Sequence, residues 1–407
     1  MSSTAVDVAI IGGGMVGASL ALALRDSGVS TTLVEAVAPD TQAQPSFDDR
    51  TTALGNASRR IFTALGVWDE LLPQAAAIRT IHVSDAGRFG FARLRAQEQG
   101  VEAFGYVLTN RTIGSALWRA LNTAADLTLR VPAQVGAITL DEEAAHLQLT
   151  SARGQSEHIV ARLLVAADGA DSVVRHAAAI PAEVLDYQQV AVVSHVVAER
   201  PQDGTAYERF SRSGPIALLP LHNGSYGVIC STSAEEARQL LSCEEPEFLQ
   251  QLQQRFGWRA GRFLRAGVRA SYPLRLSRAT ALTGARCVLI GNAAQALHPV
   301  AGQGFNLGLR DAAMLAELIA AAPAALGTPQ WLEQFARWRA ADRAGVVRFT
   351  DGLIRLFSSA RPLAGVLRDL GLLLFDLTPP AKSALARVST GFAGPVPRLA
   401  RGLTLRP

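Results

Sequence analysis

The sequence predicts an α/β (α+β) protein: a Rossmann-like nucleotide-binding domain, interrupted by an antiparallel β-sheet and followed by helices. Three observations carry this expectation. The chain opens on a strand, a glycine-rich turn, a helix and a second strand. Two later apolar strands also run straight into glycine-bearing turns. Between those two lies a stretch of different texture, β-rich and punctuated by Gly and Pro.

The elements follow in order. "VDVAII", from Val6 to Ile11, is short, apolar and β-branched, as a strand buried on both faces should be. A helix is expected from Val16 to Arg25, with Leu20, Ala21 and Leu24 on one face and Gly28 as its C-cap glycine. "TTLVEA" is the second strand, ending at Glu35. "ARLLVAADGADSVVRHAAA" and "ARCVLIGNAAQ" are the two later strands with their turns. "QQVAVVSHVVAER", "AYERFSRSGPIALLPL" and "SYGVICSTS" read as the antiparallel sheet. The nucleotide domain is therefore expected to be discontinuous, at 1–80, 107–182 and 276–325. The sheet takes 81–106 and 183–275, and 326–407 is helical. In "PLAGVLRDLGLLLFDL", Leu363, Val366, Leu367, Leu370 and Leu374 share one helix face. That face either packs on the body of the protein or lies in a lipid interface.

With 407 residues, 49% hydrophobic and 18% charged, the chain can bury a large core and is not disordered. No basic segment precedes "VDVAII", and no apolar run approaches the ~20 residues a membrane-spanning helix needs. Cys230, Cys243 and Cys287 are widely spaced, with no metal-ligand pattern and no disulfide framework, so they read as buried structural thiols in a reducing cytoplasm. After Asp376 the chain has no acid but holds Lys382, Arg387, Arg398, Arg401 and Arg406. This basic tail either meets anionic lipid or is a frayed terminus. No basic stripe with interleaved aromatics suggests nucleic acid.

Gly12-Gly13-Gly14-Met15-Val16-Gly17 fits G-x-G-x-x-G in the strand–turn–helix context the motif requires. Gly12 permits the turn, Gly14 lets backbone approach a pyrophosphate, and Gly17 lets helix and strand pack closely. The pyrophosphate then meets the helix N-terminus. Glu35 sits where an acid accepts hydrogen bonds from an adenosine ribose. A nicotinamide dehydrogenase would need no further glycine turns. Here Asp168-Gly169 and the stretch "GNAAQALHPVAGQGFNLGLRD", from Gly291 to Asp311, compete for the ligand. A long ligand touching all three strand ends suggests FAD; Asp168-Gly169 alone could equally be an ordinary turn.

Together these motifs resemble the FAD-dependent aromatic hydroxylases of the p-hydroxybenzoate-hydroxylase-like fold. They are most similar to the branch that hydroxylates polyprenyl phenols in ubiquinone biosynthesis, and within it to the 2-polyprenyl-6-methoxyphenol hydroxylases. "FDDRTTAL" at 47–54 and "YERFSRSGPIALLPL" at 207–221 look like the same branch. The resemblance covers nearly the whole chain and thins after about residue 360. It implies non-covalent FAD, NADPH or NADH as co-substrate, O2, and a polyprenyl phenol converted to the 1,4-benzoquinol. It also implies oxygen transfer through a flavin C4a-hydroperoxide, with NADPH binding only in passing. Gly12, Gly14, Gly17 and Glu35 would hold the ADP part, and Asp168 and Gly169 would serve both FAD and the passing NADPH. Arg50 and Arg111 match positions that contact the cofactor, with Asn110 the alternative to Arg111. The strand-end pair usually reads Gly-Asp; here it is Gly291-Asn292, whose amide can still accept from a ribityl hydroxyl.

Gly302, Gln303 and Gly304 would set bare backbone against the flavin ring, with Asn306 on the helix that starts beneath its pyrimidine edge. Relatives acting at other ring positions tend to carry Asn-Pro where this chain has His298-Pro299, which favours the 6-methoxyphenol branch. His298 either tunes the flavin or a phenol proton, or is a structural histidine beside a turn proline. His222 and Tyr226 are expected in the ring pocket, or else in an exposed loop. No metal site is expected. Expected partners are the phenol, O2 and other ubiquinone-biosynthesis enzymes. The expected location is the cytoplasm or the inner-membrane surface. Rival readings are a hydroxylase of another aromatic compound or ring position, and a flavin-binding scaffold without turnover.

Overall fold

The computed structural model describes residues 3–39, 41, 44, 47–88, 90–211, 213–297, 302–358, 378–392 and 394–405. The first of its two large sheets has eight strands. Its spine runs Cys287–Leu289, Ser156–Ala166, Ser3–Ile11, Thr31–Val34, Leu127–Arg130, and each neighbouring pair is parallel. Thr283–Gly284 pairs antiparallel with Cys287–Leu289, and the hairpin of Ala133–Leu140 and Ala145–Ser151 pairs with Ser156–Ala166. Val8, Ala9 and Ile10 are fully buried, which explains a continuous apolar run rather than an alternating one.

The helix Met15–Leu24 packs on this sheet, and the helix Gln303–Ala321 packs on it in turn. Residues 17–24 are consequently buried all round, not along one face. The helix also stops before Gly28. Its C-cap is Arg25, and Asp26 takes the left-handed position next to it at φ 58°. Aspartate tolerates that conformation better than most side chains, and the Asp26 N–H donates to Asp126 Oδ2 at 2.6 Å.

The second sheet has nine strands. Its order is Gln295–Ala296, Ala270–Ala279, Ala182–Ala198, Tyr226–Thr232, Ile216–Pro220, Thr205–Phe210, Thr80–Asp85, Phe91–Arg95, with Phe263–Ala266 beside Ala182–Ala198. All pairs are antiparallel except Thr205–Phe210 with Thr80–Asp85. Gly105–Thr109 lies between Thr51–Gly55 and Ala76–Ile78 in a separate three-stranded sheet. Two helices, Ala234–Ser242 and Glu245–Phe256, cover the second sheet through Leu240, Phe248, Leu252 and Phe256; the β-rich reading of this region had passed over them.

A short segment next to the cavity passes from the first sheet to the second. Cys287–Leu289 ends in the first, Gly291–Ala293 makes a 3-10 turn, and Gln295–Ala296 enters the second. The expected helix over 362–377 lies outside the described residues. The tail is not frayed where it is described: Leu399 and Ala400 are buried, and the Arg398 N–H donates to Glu317 Oε2 at 2.7 Å. Cys230 and Cys287 are buried and Cys243 is half-buried. Among the described residues no helix is long and apolar enough to cross a membrane.

Candidate functional site

A cavity of about 1760 Å³ is lined by strands of the second and third sheets and by the turns that follow strands of the first. At one end three parallel strands deliver their carboxyl ends: Ser3–Ile11 leads to Gly12, Ser156–Ala166 to Asp168-Gly169, and Cys287–Leu289 to Gly291-Asn292. Gly12, Gly14, Glu35, Asp168, Gly169, Gly291 and Asn292 all line the cavity. Gly17 does not. A Cβ there would sit 1.9 Å from the Gly12 carbonyl oxygen, so its hydrogen is what lets the helix close on the turn. Gly12 has φ 102° and its Cβ would meet the Ala167 carbonyl at 2.4 Å.

Polar groups around these glycines suit an extended polar ligand. Gly14 is the N-cap of Met15–Leu24 and supplies no side-chain cap, so first-turn N–H groups are left for a ligand. Glu35 is buried; its Oε2 accepts from Gly13 N at 2.5 Å and its Oε1 from Val37 N at 2.9 Å. Each oxygen keeps a lone pair for a hydroxyl. Asp168 Oδ2 accepts from Val174 N at 3.3 Å, while Oδ1 is buried without a partner. Burial raises the Asp168 carboxyl pKa. A bare helix N-terminus, glycine backbone with no room for Cβ and an orphaned acceptor fit an extended dinucleotide such as FAD.

Midway, Asp48 is the hub. Its carboxylate meets Arg50 Nε at 2.5 Å and accepts from Tyr272 Oη at 3.2 Å and Asn110 Nδ2 at 3.1 Å. The Arg50 guanidinium lies 4.4 Å above the Tyr272 ring. Arg111 sits half-exposed at the rim and pairs with Asp49 at 2.9 Å, whereas Asn110 is buried within the Asp48 network. Both line the cavity.

The loop between the sheets comes next. Gly302, at φ 59°, starts the helix Gln303–Ala321, and Gly302, Gln303, Gly304 and Asn306 line the cavity. Asn306 acts as a staple. Its Oδ1 accepts from Gly55 N at 2.9 Å and Ser58 Oγ at 2.6 Å, and its Nδ2 donates to Ala53 O at 2.8 Å and Gly302 O at 2.7 Å. His298 and Pro299 lie outside the described residues. Behind the loop, Asp311 Oδ2 accepts from Gly291 N at 3.2 Å and Gln295 Nε2 at 2.8 Å, and Arg339 Nε meets Asp311 Oδ1 at 2.7 Å. Arg175 Nη1 donates to Ala293 O at 3.2 Å, tying the Asp-Gly motif to the same turn.

The far end is apolar. Ile81, Val83, Leu94, Phe210, Leu219 and Ile229 line it, and Leu385 of the helix Pro379–Thr390 closes it. One carboxyl stands in this wall, that of Glu208; burial alone pushes it up to about 7. The two pocket residues expected from sequence are not there. His222 is exposed in a turn, and Tyr226 is buried with Cys230 in a separate core and does not line the cavity. Sequence reasoning missed Asp48, Arg175, Asp311 and Glu208. For Glu208 a signal was present: in "AYERF" an acid stands two residues from Ala206 and Phe210, hence on their face.

Residues 5–350 match the family model described as FAD binding domain. The chain belongs to this family of flavoprotein monooxygenases. Ubiquinone hydroxylase UbiL of Rhodospirillum rubrum is 36% identical over 405 residues, covering 98% of this chain and 93% of that protein. The 3-demethoxyubiquinol 3-hydroxylase of Escherichia coli K12 is 30% identical over 379 residues, covering 92% and 95%. Among solved structures, p-nitrophenol 4-monooxygenase PnpA of Pseudomonas putida superposes with a TM-score of 0.80 at 17% identity, covering 97% of this chain and 99% of that one. The fold is thus that of the p-hydroxybenzoate-hydroxylase-like flavoproteins, and the protein is an FAD-dependent monooxygenase.

Proposed function

We propose that this monooxygenase hydroxylates the ring of 2-polyprenyl-6-methoxyphenol to the 1,4-benzoquinol in ubiquinone biosynthesis, using NADPH or NADH and O2. One observation carries the reading: a single cavity runs from the glycine cradle of the first sheet to the apolar wall of the second. A hydroxylase of a greasy phenol needs both ends in one chamber, with water kept from the reacting centre. The relatives reported above are named for ubiquinone and demethoxyubiquinol, which supports the substrate class.

In this proposal Gly12, Gly14 and Glu35 hold the ADP part of FAD. Gly17 contributes by letting the helix close. Asp168 and Gly169 face the middle of the cofactor, Asn292 meets the ribityl chain, and Arg50 and Arg111 flank it. Gly302, Gln303 and Gly304 present backbone to the flavin ring. Bound flavin supplies the redox chemistry, taking reducing equivalents from the nicotinamide and activating O2. Asn306 positions the loop rather than touching the ring, since its amide is spent on four protein partners. The N-terminus of Gln303–Ala321 favours the negative charge of reduced flavin. Val268 is 93% exposed yet lines the cavity, so a polyprenyl tail drawn from a membrane surface enters past it.

The test supplies 2-polyprenyl-6-methoxyphenol, NADPH and labelled O2 and identifies the product. Incorporation of one oxygen atom para to the phenol hydroxyl supports the reading. Hydroxylation at another position assigns the enzyme to a different step. An untouched ring, with other phenols hydroxylated, refutes the substrate.

A further inference from the structure

We propose that Glu208 is the catalytic base that takes the phenolic proton of the ring substrate. This inference rests on the hydroxylase reading and adds a residue to it. The strand Thr205–Phe210 alternates its faces: the Arg209 guanidinium donates to Ser84 Oγ on one side, while Ala206, Glu208 and Phe210 line the cavity on the other. In register beside Glu208 stand Val83 on one neighbouring strand and Ala217 on the other. No protein group among the described residues hydrogen-bonds its carboxyl.

A lone carboxyl in an apolar wall costs stability and contributes nothing to packing that a leucine would not. Such a group in a cleft marks a functional site. Its chemistry fits the reaction. Ionising a phenol raises electron density at the ring carbons ortho and para to the oxygen. A free phenol ionises near 10, and an ordinary carboxylate near 4.3 is a poor base for it. Glu208, pushed up to about 7 by burial, is a far better match and still mostly unprotonated above neutrality. The phenol O–H bond breaks and an O–H bond forms on a Glu208 carboxylate oxygen, leaving the electron pair on the ring oxygen. O2 supplies the transferred oxygen atom and the nicotinamide supplies the electrons. The proton returns to the same ring oxygen after transfer, so Glu208 is unchanged over the cycle.

Few charged or titratable groups face the cavity near Glu208; on its own strand Tyr207 also reaches the lining. On Thr80–Asp85 the next acid is Asp85, which pairs with Arg88 at 3.6 Å. Ile216–Pro220 presents Ala217 and Leu219, and Tyr226–Thr232 presents Ile229. The long strands of the sheet add His195, Tyr272 and Arg275, and Asp48 and Arg50 face them across the cavity. None of these moves the Glu208 carboxyl; burial alone does.

The test uses the FAD-loaded enzyme, NADPH, O2 and two probes: 2-prenyl-6-methoxyphenol and a ring-fluorinated analogue whose hydroxyl is more acidic. Single-turnover hydroxylation is compared between wild type and Glu208→Gln. With the plain phenol near neutral pH, the variant should keep its flavin and lose on the order of 100-fold in hydroxylation rate. With the acidic phenol the loss should shrink to about tenfold or less, since that ring arrives partly ionised. The wild-type rate should fall as pH drops through about 7, because protonated Glu208 cannot accept a proton. An unchanged rate in Glu208→Gln, an equal loss with both phenols, or a flat wild-type profile from about pH 6 to 8 overturns the proposal. If wild type hydroxylates neither probe, the hydroxylase reading itself has failed, and Glu208 loses its role with it.

Discussion

Removing the Arg339 side chain should unseat the cofactor from a distance. Arg339 is fully buried between two carboxylates, Asp311 at 2.7 Å and Asp342 at 2.7 Å. Arg310 also binds Asp342, at 2.9 Å. Arg339→Ala leaves Asp342 with Arg310 and removes the guanidinium that pairs with the buried Asp311. Breaking a buried pair in this way costs about 3–5 kcal/mol, mostly the price of the stranded charge. In a chain of this size that lowers the unfolding midpoint by roughly 3–6 °C. The functional consequence runs through Asp311, whose other oxygen holds Gly291 N and Gln295 Nε2. When Asp311 turns, the Gly291-Asn292 turn loses its anchor and FAD affinity falls. Thermal unfolding by circular dichroism and FAD titration by flavin fluorescence read the two effects. Asp311→Asn in the same background removes the stranded charge while keeping an acceptor for Gly291, so the double variant should regain much of the loss. A midpoint within about 1 °C of wild type, with FAD bound as tightly, would refute the reasoning.

Gly17→Ala should cost at least about 1–3 kcal/mol and most of the FAD affinity, because the new methyl lies 1.9 Å from the Gly12 carbonyl; equilibrium dialysis against FAD checks it. Asn306→Ala strands Gly55 N, Ala53 O and Gly302 O, and should lower product formed per NADPH consumed more than it lowers FAD affinity. Equal loss of both would mean the staple only stabilises the fold. Burial opposes ionisation of Asp342, but Arg310 and Arg339 more than offset it, so its carboxyl lies below the usual range. A depressed acid contributes stability that is complete above the ordinary carboxylate pKa and is lost as pH falls through the folded value. Asp342→Asn should therefore flatten the acid limb of the unfolding midpoint against pH.

The glycines of the cradle were legible because backbone geometry dictates residue type. At Gly12 and Gly17 no side chain fits, and a short pattern between a strand and a helix says so. The Asn292 departure was legible for the same reason: it stands one residue after a fixed glycine. Partners brought together only by the fold were not legible. Asp48 and Tyr272 are 224 residues apart, and Asn306 and Gly55 are 251 apart. No local pattern announces such a contact. Strand phase misled the pocket assignment. Tyr226 belongs to the face of its strand that packs under the two helices, while Ile229 reaches the cavity. In "SYGVICSTS" both faces are apolar or small, so alternation could not say which face met the ligand.

The two ends of the cavity differ in what holds them to their task. In the proposed binding mode the first sheet meets its ligand with backbone: bare glycines, a helix terminus and a few acids aimed at hydroxyls. Almost nothing there can change without closing the space. The second sheet meets its ligand with side chains on alternate strand positions, and each can be exchanged while the ladder hydrogen bonds persist. A TM-score of 0.80 at 17% identity to PnpA shows that this frame is kept by largely different residues. In the proposed function, substrate choice belongs to the residues that face inward from the second sheet. Among them Glu208 is a carboxyl set between Val83 and Ala217, a place where an apolar side chain would pack at least as well.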